Sequence, residues 1–408
     1  MMQAFTGARR ARPRLPEGQG EDSPRRVLLV DPSLFTAPYD AALSTGLEAA
    51  GIEPRWAVRG LRAGEEDDLG AIRSRPIFYP LTDGRRRRAG GGWRLLKGAE
   101  HVVGMYRLLG LLRSARFDLV HFQWTVLPPV DLRALRRIRA FCPVVLTVHD
   151  TTPFNGKAVS RLQRDGFARV LDAADRLIVH TAGGREMLAA AGHDPARIAV
   201  IPHGLLARPG AGGATPAEGE RRWRIVQLGR VQDYKGVDLL VEALGRLDAD
   251  ARARLSVVVA GEPMIDVAPL LARARALGLS RDLIEFRFRR QSQGEMGALL
   301  HQADAFVFPY RAIEASGVLF LVASARKWVV ASDLGAFSEV VGRDGTAGCL
   351  VPPGDPSALA AALAASVGRR PSRDLVAGIP DWPTIGRMTR DTYREAATAW
   401  RASRAGRA

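Results

Sequence analysis

The chain has 408 residues, more than one hydrophobic core usually holds, so two domains are expected. Its 59 Lys and Arg residues outnumber 43 Asp and Glu residues, and the resulting formal net charge of +16 comes almost wholly from arginine, which pairs readily with phosphate. Two cysteines cannot build a disulfide framework, no signal-peptide core precedes the first predicted strand, and no apolar run is long enough to cross a bilayer. These features exclude a disulfide-rich secreted fold and a membrane-spanning protein, and they predict a cytoplasmic protein with an anionic ligand.

The first half of the chain reads as repeated strand and helix units. Residues 1–25 are rich in Arg, Pro, Gly and acidic residues and are predicted to be a disordered basic leader. The first domain is predicted over residues 26–204, with strands in the segments RVLLVDPS (26–33), FDLVHFQW (117–124), PVVLTVHDT (143–151), DRLIVHT (175–181) and RIAVIPHG (197–204). Alternation of this kind predicts a doubly wound parallel sheet of the Rossmann type.

A second unit of the same kind follows a break. Residues 205–220 are rich in Gly, Ala and Pro and are predicted to be an interdomain linker. The second domain is predicted over residues 221–380, with strands in RIVQLG (224–229), LSVVVAGE (255–262), LIEFRF (283–288), AFVFPY (305–310), WVVASD (328–333) and GCLVPP (348–353). Residues 381–408 are predicted to form a long helix that packs across the domain junction, followed by a basic tail. The predicted fold class is α/β, with two Rossmann-like doubly wound parallel sheets.

The stretch IVQLGRVQDYKGVDLLVEAL (225–244) places two cations in the turn between a strand and a helix. In an open parallel sheet, ligands bind beyond the carboxyl ends of the strands, where free backbone N–H groups favour anions. Arg230 and Lys235 at such a place predict a diphosphate site. Taken as an isolated pair, such residues are more often two solvated loop cations, so the rest of the chain must decide between the two interpretations.

Five segments occur in a specific order in the second half of the chain. They are GRVQDYKG, VVAGEP, HQADAFVFPYRAIEASGVLFLVASA, WVVASDLGAFSEVV and AGCLVPPGDPSALAAAL. Together they resemble the family 4 retaining glycosyltransferases of GT-B fold, and the elements TVHD and IPHG extend the resemblance more weakly over residues 26–204. The resemblance implies two Rossmann-like domains facing an interdomain cleft, of which the first binds the acceptor and the second binds a nucleotide-sugar donor.

The resemblance also implies roles for individual residues. In the family, the Arg and Lys of the G-R-x4-K-G turn grip the donor diphosphate, the first acid of an E-x7-E motif contacts the donor sugar, and the His of T-x-H-D lies near the transferring sugar. The catalytic residues carried over in this way are Arg230, Lys235, Glu314 and His149. The expected donor site also contains Gly229, Gly261, Tyr310, Arg311, Ser316, Gly317 and Val318. The expected acceptor site contains Ser33, His121, Gln123, Trp124, His149 and Asp150.

This sequence departs from the family pattern at two places. The second acid of E-x7-E, which holds the nucleotide ribose in the family, is replaced by Val322. The first strand is followed by DPSLFTAPYD (31–40) rather than by the Gly-rich loop of many members. His180 and His203 are interpreted as structural residues, and Asp248 and Asp250, although they form a D-x-D, are interpreted as surface residues.

Neither a metal site nor a cofactor is expected, because no His/Cys cluster has metal-ligand spacing. Basic segments occur at RRRR (85–88), at the amphipathic DLRALRRIRAF (131–141) and near the C-terminus. They are either a solvated arginine-rich surface or an attachment site for anionic lipid, which would suit a lipid-linked acceptor. Nucleic acid is not an expected partner, since aromatic residues are few and no binding module is recognisable.

The sequence therefore predicts a retaining, metal-independent hexosyltransferase that is cytoplasmic or peripheral on the inner face of the plasma membrane. Its donor would be a nucleotide sugar, its acceptor a glycan or lipid-linked glycan, and its role cell-envelope or exopolysaccharide biosynthesis. The alternatives are a nucleotide-sugar epimerase or a phosphorylase of the same architecture, and a non-catalytic GT-B-like protein that binds lipid or a partner. Loss of the second acid at Val322 favours the non-catalytic alternative, and retention of Arg230, Lys235 and Glu314 argues against it.

Overall fold

The computed structural model describes residues 23–63, 65–71, 73–83, 91–151, 161–206, 222–313 and 315–406. The described strands are β1 (Arg26–Asp31), β2 (Glu53–Arg59), β3 (Ser74–Phe78), β4 (Leu119–Phe122), β5 (Val144–Thr147), β6 (Arg176–Val179), β7 (Ile198–Val200), β8 (Trp223–Leu228), β9 (Leu255–Ala260), β10 (Ile284–Arg287), β11 (Ala305–Phe308), β12 (Trp328–Ser332) and β13 (Gly348–Val351). The described α-helices are α1 (Ala37–Ala49), α2 (Gly91–Ser114), α3 (Pro128–Ile138), α4 (Arg161–Ala173), α5 (Ala182–Ala190), α6 (Val237–Arg246), α7 (Ala249–Arg254), α8 (Ala268–Ala276), α9 (Gln293–Gln302), α10 (Gly317–Ala323), α11 (Gly335–Val341), α12 (Pro356–Ala365) and α13 (Trp382–Ala405).

The strands form two parallel sheets, and each sheet has one point at which the strand order reverses. The first sheet has the order β3-β2-β1-β4-β5-β6-β7, and the second has the order β10-β9-β8-β11-β12-β13. In the first sheet the order reverses between β1 and β4, because β1 pairs in parallel with both β2 and β4. In the second sheet it reverses between β8 and β11, because β8 pairs in parallel with both β9 and β11. Loops leaving such a pair of strands diverge to opposite faces of the sheet and open a crevice between them.

Both faces of each sheet are covered, as the near-continuous apolar strands require. In the first sheet, one face is covered by a cluster that includes Leu135 and Val170, and the other by a cluster that includes Tyr39 and Tyr393. The second sheet has the same two-sided arrangement. The observed architecture confirms the predicted α/β class with two Rossmann-like doubly wound sheets.

The last described helix, α13, returns to the first sheet and packs along α1. The two helices approach so closely at Gly46 and Gly386 that a Cβ on Gly386 would overlap the Gly46 backbone. Hydrogen bonds fix the helix to the first unit: the hydroxyl of Tyr393 bonds His121 at 2.8 Å, and the indole N–H of Trp400 donates to the Arg139 carbonyl at 2.7 Å. The chain thus crosses between the two sheet units twice.

Some sequence expectations fall outside the described residues. Residues 1–22 of the predicted leader, residues 207–220 of the predicted linker and the arginines of RRRR (85–88) all belong to this group. Within the described part of the chain, no helix combines the length and the apolar character needed to cross a membrane.

Candidate functional site

The turn after β8 lies at the strand reversal of the second sheet, and backbone contacts fix its shape. Gly229 donates to the Ala260 carbonyl at 3.0 Å and Val231 donates to the Glu262 carbonyl at 2.9 Å, so the turn runs alongside the end of β9. A Cβ on Gly261 would overlap the Gly229 carbonyl, which explains glycine at that close approach. Gly236 adopts φ +64° at the start of α6, and a Cβ there would overlap the Pro309 carbonyl at the end of β11. The turn is therefore locked against the ends of both neighbouring strands.

Lys235 is a buried cation in this turn. Only 8% of its surface is exposed, and its ammonium group lies 5.2 Å from the centre of the Tyr310 ring. Burial lowers the pKa of Lys235, the charge of Arg230 lowers it further, and only Tyr234 acts in the opposite direction. Lys235 forms no salt bridge with a carboxylate of the described residues, whereas buried charges in proteins are usually paired. Within the part of the chain that the structure describes, no carboxylate therefore pairs with the Lys235 ammonium group at the edge of the second sheet.

Several of the remaining predicted donor-site residues lie around Gly229. Gly229 lies between the Lys235 amine and Val318, which is in the first turn of α10. A Cβ built on Gly229 would lie 2.8 Å from the Lys235 amine and 3.4 Å from the Val318 side chain. Arg230 is exposed next to them, and Ser316 occupies the N-cap position of α10 immediately before Gly317.

Arg311 is held elsewhere. Its guanidinium makes a two-pronged ion pair with Asp238 on α6, with N–O distances of 2.8 Å and 2.5 Å, and donates to the Asp233 carbonyl at 3.0 Å. Glu314 lies outside the described residues. Val322, at the position of the missing second acid, is completely buried in the apolar cluster under α10, so it does not face the ligand crevice.

At the carboxyl edge of the first sheet, His149 is held by contacts on several sides. Its Nε2 lies 2.9 Å from the Gln123 side-chain oxygen, and its Nδ1 lies 3.0 Å from Nε2 of His180. The Trp124 ring stacks on it at 4.9 Å between ring centres, and Tyr39 meets it edge-on at 5.1 Å. Burial lowers the pKa of His149 well below its ordinary value of 6.5, and the neighbouring histidines add to the effect. The ring is therefore neutral and fixed in orientation.

The other residues predicted at the acceptor site lie at different depths. His121 is 1% exposed, and both of its ring nitrogens are used, by Tyr393 at 2.8 Å and by the Thr147 hydroxyl at 2.7 Å. Gln123 is also buried, and its side chain contacts Nε2 of His149. Trp124 lies nearer the surface, and its indole N–H donates to the Thr36 hydroxyl at 3.1 Å.

Ser33 belongs to the loop after β1, which a buried carboxylate organises. Asp31 accepts hydrogen bonds from the backbone N–H groups of Ser33 at 3.1 Å and Phe35 at 2.7 Å. Burial raises the pKa of Asp31 to about 6, and it raises the pKa of the adjoining Asp40 well above the ordinary value. This loop takes the place of a Gly-rich turn, and the exposed ring of Phe35 meets Trp124 edge-on at 5.3 Å.

The two carboxyl edges face one another. The charge of Asp150, which follows β5, acts on Tyr234 in the turn after β8, together with the charges of Lys235 and Arg230. At a second point, the N–H of Gly183 on α5 donates to the Glu339 carboxylate on α11 at 3.3 Å. The structure therefore brings the His149–Asp150 strand end and the cationic turn to the same cleft. No group of three potential metal ligands occurs among the residues that the structure describes.

Two family models match the two sheet units in turn. Residues 41–205 match the model described as Glycosyltransferase Family 4, and residues 222–367 match the model described as Glycosyl transferases group 1. The chain belongs to the family 4 glycosyltransferases of GT-B fold.

Curated relatives of this glycosyltransferase-family chain include two named D-inositol 3-phosphate glycosyltransferase. The protein from Geodermatophilus obscurus is 34% identical over 300 residues, which cover 68% of this chain and 62% of the relative. The protein from Mycobacterium ulcerans is 29% identical over 286 residues, which cover 64% of this chain and 58% of the relative. The matched segment thus spans about three fifths of the length of these relatives.

Solved structures confirm the GT-B fold. HepE from Anabaena, crystallised with UDP and glucose, superimposes with a TM-score of 0.67 at 16% identity, covering 90% of this chain and 98% of HepE. WaaG, a glycosyltransferase involved in lipopolysaccharide biosynthesis, superimposes with a TM-score of 0.59 at 16% identity, covering 92% of this chain and 99% of WaaG.

Three residues at the cleft edge were not predicted to belong to the site, and one of them, His180, was interpreted as structural. Tyr39 and His180 both contact His149, and Tyr234, in the cationic turn itself, lies near enough to Asp150 of the first unit to sense its charge. His180 had a usable signal, because it follows β6 in the way that His149 follows β5. Tyr39 had none, since it lies inside a helix and reaches the edge only through packing.

Proposed function

We propose that this protein transfers a sugar from a nucleoside-diphosphate donor to a hydroxyl group of a glycan or lipid-linked acceptor. The observation that carries the proposal is Lys235, a buried ammonium group without a carboxylate partner among the described residues, at the strand reversal of the second sheet. A diphosphate supplies the missing negative charge, and the exposed Arg230 beside it supplies a second cation. UDP is the first nucleotide to test, because HepE was solved with it.

In the proposed reaction the chain stabilises charge on the leaving group. Departure of the diphosphate develops negative charge on its oxygens, and the proposed role of Lys235, with Arg230 beside it, is to stabilise that charge. The acceptor hydroxyl attacks on the same face as the leaving group, which retains the configuration, and the departing diphosphate takes its proton. His149 orients the donor sugar, and no residue is assigned as a covalent nucleophile. Charge stabilisation by two fixed cations requires no metal ion.

The acceptor is proposed to bind against the first sheet. Phe35 and Trp124 form an aromatic surface at the mouth of the cleft beside His149. Aromatic faces with a few placed polar groups are typical of small-molecule sites. A panel of acceptors should include D-inositol 3-phosphate, the molecule in the relatives' name, together with neutral and lipid-linked glycans.

Calorimetric titration of UDP, GDP, ADP and dTDP, followed by product analysis with the matching nucleotide sugars, tests the proposal. Specific binding of one nucleoside diphosphate and transfer of its sugar are expected, with activity unchanged in excess EDTA. Failure of all four nucleotides to bind contradicts the proposal. Activity lost in EDTA and restored by manganese contradicts the metal-free mechanism alone.

A non-catalytic GT-B-like protein is the second candidate, and Val322 is the observation that favours it. The acid that would hold the ribose is absent, and the valine is buried away from the crevice. Nucleotide binding without sugar transfer to any acceptor, and without slow hydrolysis of the nucleotide sugar, identifies this candidate.

Attachment to an anionic membrane surface is proposed for the basic face of the first unit. Helix α3 buries Leu135 and Ile138 and exposes Arg133, Arg136 and Arg137, and the exposed ring of Phe141 follows it. Such a face is suited to lipid headgroups, with binding that weakens as salt screens the charges. Co-sedimentation with vesicles should therefore require anionic lipid and fall with rising salt. Replacement of the three arginines by glutamine should abolish it, and binding that ignores lipid charge contradicts the proposal.

A further inference from the structure

A second buried histidine is bonded directly to the histidine proposed to orient the donor sugar. Nε2 of His180, after β6, lies 3.0 Å from Nδ1 of His149, after β5. The other nitrogen of His180, Nδ1, lies 3.0 Å from the backbone carbonyl oxygen of Ile201. The two rings and the carbonyl thus form one chain of hydrogen bonds across three neighbouring strand ends.

The carbonyl decides where the hydrogens are in this chain. A carbonyl oxygen only accepts, so Nδ1 of His180 must carry a hydrogen. A neutral imidazole has a single N–H, so Nε2 of His180 then accepts, and Nδ1 of His149 must donate to it. In consequence His149 carries its hydrogen on Nδ1, and its Nε2 has a free lone pair.

Burial favours the neutral form of both the His149 and the His180 ring. Burial lowers the pKa of His180 to about 4, and it lowers the pKa of His149 well below 6.5. With the Gln123 oxygen facing Nε2 of His149 at 2.9 Å, the chain would have an acceptor at both ends and would need a third proton, hence a positive charge. An amide oxygen and nitrogen exchange places by a half-turn, and their assignment follows the hydrogen-bond network. Neutral rings therefore require a half-turn of the Gln123 amide, so that its NH2 group, which otherwise lies 3.4 Å from Nε2 of His121, faces Nε2 of His149.

We propose that His180 is a positioning residue that fixes His149 in its Nδ1–H tautomer. Nε2 is then the ring atom that accepts a hydrogen bond, from Gln123 in the free protein and from a hydroxyl group of the donor sugar in the complex. This role rests on the proposed transfer reaction, since it acts through His149. The tautomer itself is a property of the free protein and can be measured without substrate.

Nitrogen-15 NMR of histidine side chains measures the tautomer directly. The chain has seven histidines, and the His149→Asn variant identifies the signals of that ring by their loss. A pyrrole-type Nδ1 and a pyridine-type Nε2 at His149 are expected in the unliganded protein. Nε2–H at His149 in the wild-type protein overturns the proposal, whether or not the protein has transferase activity.

Two substitutions at His180 separate positioning of His149 from a purely structural role. Asparagine places its amide near Nδ1 of the original ring and can keep the bond to Ile201, whereas glutamine reaches the position of Nε2 and can accept from His149. His180→Asn should lower kcat by about ten-fold, the upper range for one hydrogen bond, with the donor KM little changed. His180→Gln should stay within about three-fold of wild type, because it restores the bond that sets the tautomer.

His203 provides the matched control. It is also buried, packs near Tyr39 and bonds a backbone carbonyl, that of Gly204 at 2.6 Å, but it is not bonded to His149. His203→Asn should leave the His149 signals unchanged. The proposal is overturned if His180→Gln loses more kcat than His180→Asn. It is also overturned if both variants lose kcat equally while both melt at the wild-type temperature. A wild-type protein that transfers no sugar contradicts the proposed function and leaves the NMR result to decide the tautomer.

Discussion

Replacing Lys235 by methionine should weaken function without weakening the fold. Methionine keeps most of the apolar stem that packs beside Tyr310 and removes the charge. In the unliganded protein that charge is buried, and burial lowers the pKa of Lys235 below its ordinary value of 10.5. Removing a charge that the folded state disfavours should leave the free energy of unfolding unchanged or raise it. A residue placed for a ligand has this signature, and a residue placed for stability has the opposite one.

The size of the functional loss follows from the charge. A hydrogen bond to a charged group contributes about 1.5–3 kcal/mol, so UDP affinity should fall by roughly ten-fold to a hundred-fold. Turnover should fall further, by about a hundred-fold to a thousand-fold, because charge on the leaving diphosphate is greatest in the transition state. Calorimetric titration of UDP measures the first quantity, and single-substrate kinetics with the nucleotide sugar measure the second.

The pH dependence gives an independent check with a definite sign. Because the folded protein holds this proton less tightly than the unfolded chain, the unfolded state binds more protons between the lowered pKa and 10.5. Stability of the wild type relative to Lys235→Met should therefore rise as pH increases through that window. Thermal melts of both proteins at a series of alkaline pH values measure the difference.

Lys327→Met is the matched control, because it removes the same charge next to β12, where the lysine donates to the His301 carbonyl at 3.1 Å. It should leave UDP affinity and turnover near the wild-type values. Binding of UDP by Lys235→Met as tight as that of the wild type would contradict the role assigned to Lys235. A melting temperature of Lys235→Met several degrees below wild type, with no such loss in Lys327→Met, would contradict that role equally.

Three further changes test other parts of the structure. Gly236 and Gly278 share φ +64°, but a Cβ added at Gly236 alone would meet a carbonyl at the end of β11. Gly278→Ala should therefore cost roughly 1–2 kcal/mol for its left-handed backbone, and Gly236→Ala should cost clearly more. Equal losses of stability in thermal melts would contradict the packing. Burial raises the pKa of Asp31 to about 6 and raises the pKa of Asp40 well above its ordinary value, so the folded state keeps protons that the unfolded chain releases above about pH 4. Asp40→Asn should therefore gain in melting temperature relative to wild type between pH 4 and pH 7, and a constant difference would contradict this. Val322→Glu should lower the melting temperature rather than tighten nucleotide binding, because it buries an unpaired carboxylate. In the wild type, UDP and 2′-deoxy-UDP should compete with the donor within a few-fold of each other, and a strong preference for UDP would show that another group holds the ribose.

Local sequence pattern was enough to predict both sheets and the edge at which ligands bind. Apolar runs alternating with helical patterns allow few arrangements other than parallel sheets, and a residue that follows a parallel strand must lie at the carboxyl edge. For that reason the pattern of residues alone places His149, Arg230 and Lys235 at strand ends. No segment was predicted for β2 or β3. Strand β3 is short and contains Pro76, and proline within a strand is tolerated only where its missing N–H is not needed, as at the sheet edge.

What only the tertiary structure decided is which of these strand ends are neighbours and which side chains are free. The order of strands in a sheet depends on long-range pairing, so the bond between His149 and His180 could not be read from residues 31 positions apart. The same holds for Arg311, which lies between β11 and α10 and pairs with Asp238 on α6, and for Val322, which is buried in the apolar core. Sequence determines the chemical identity of each group and its place along a strand, while charge pairing and burial depend on groups that meet only when the chain is folded.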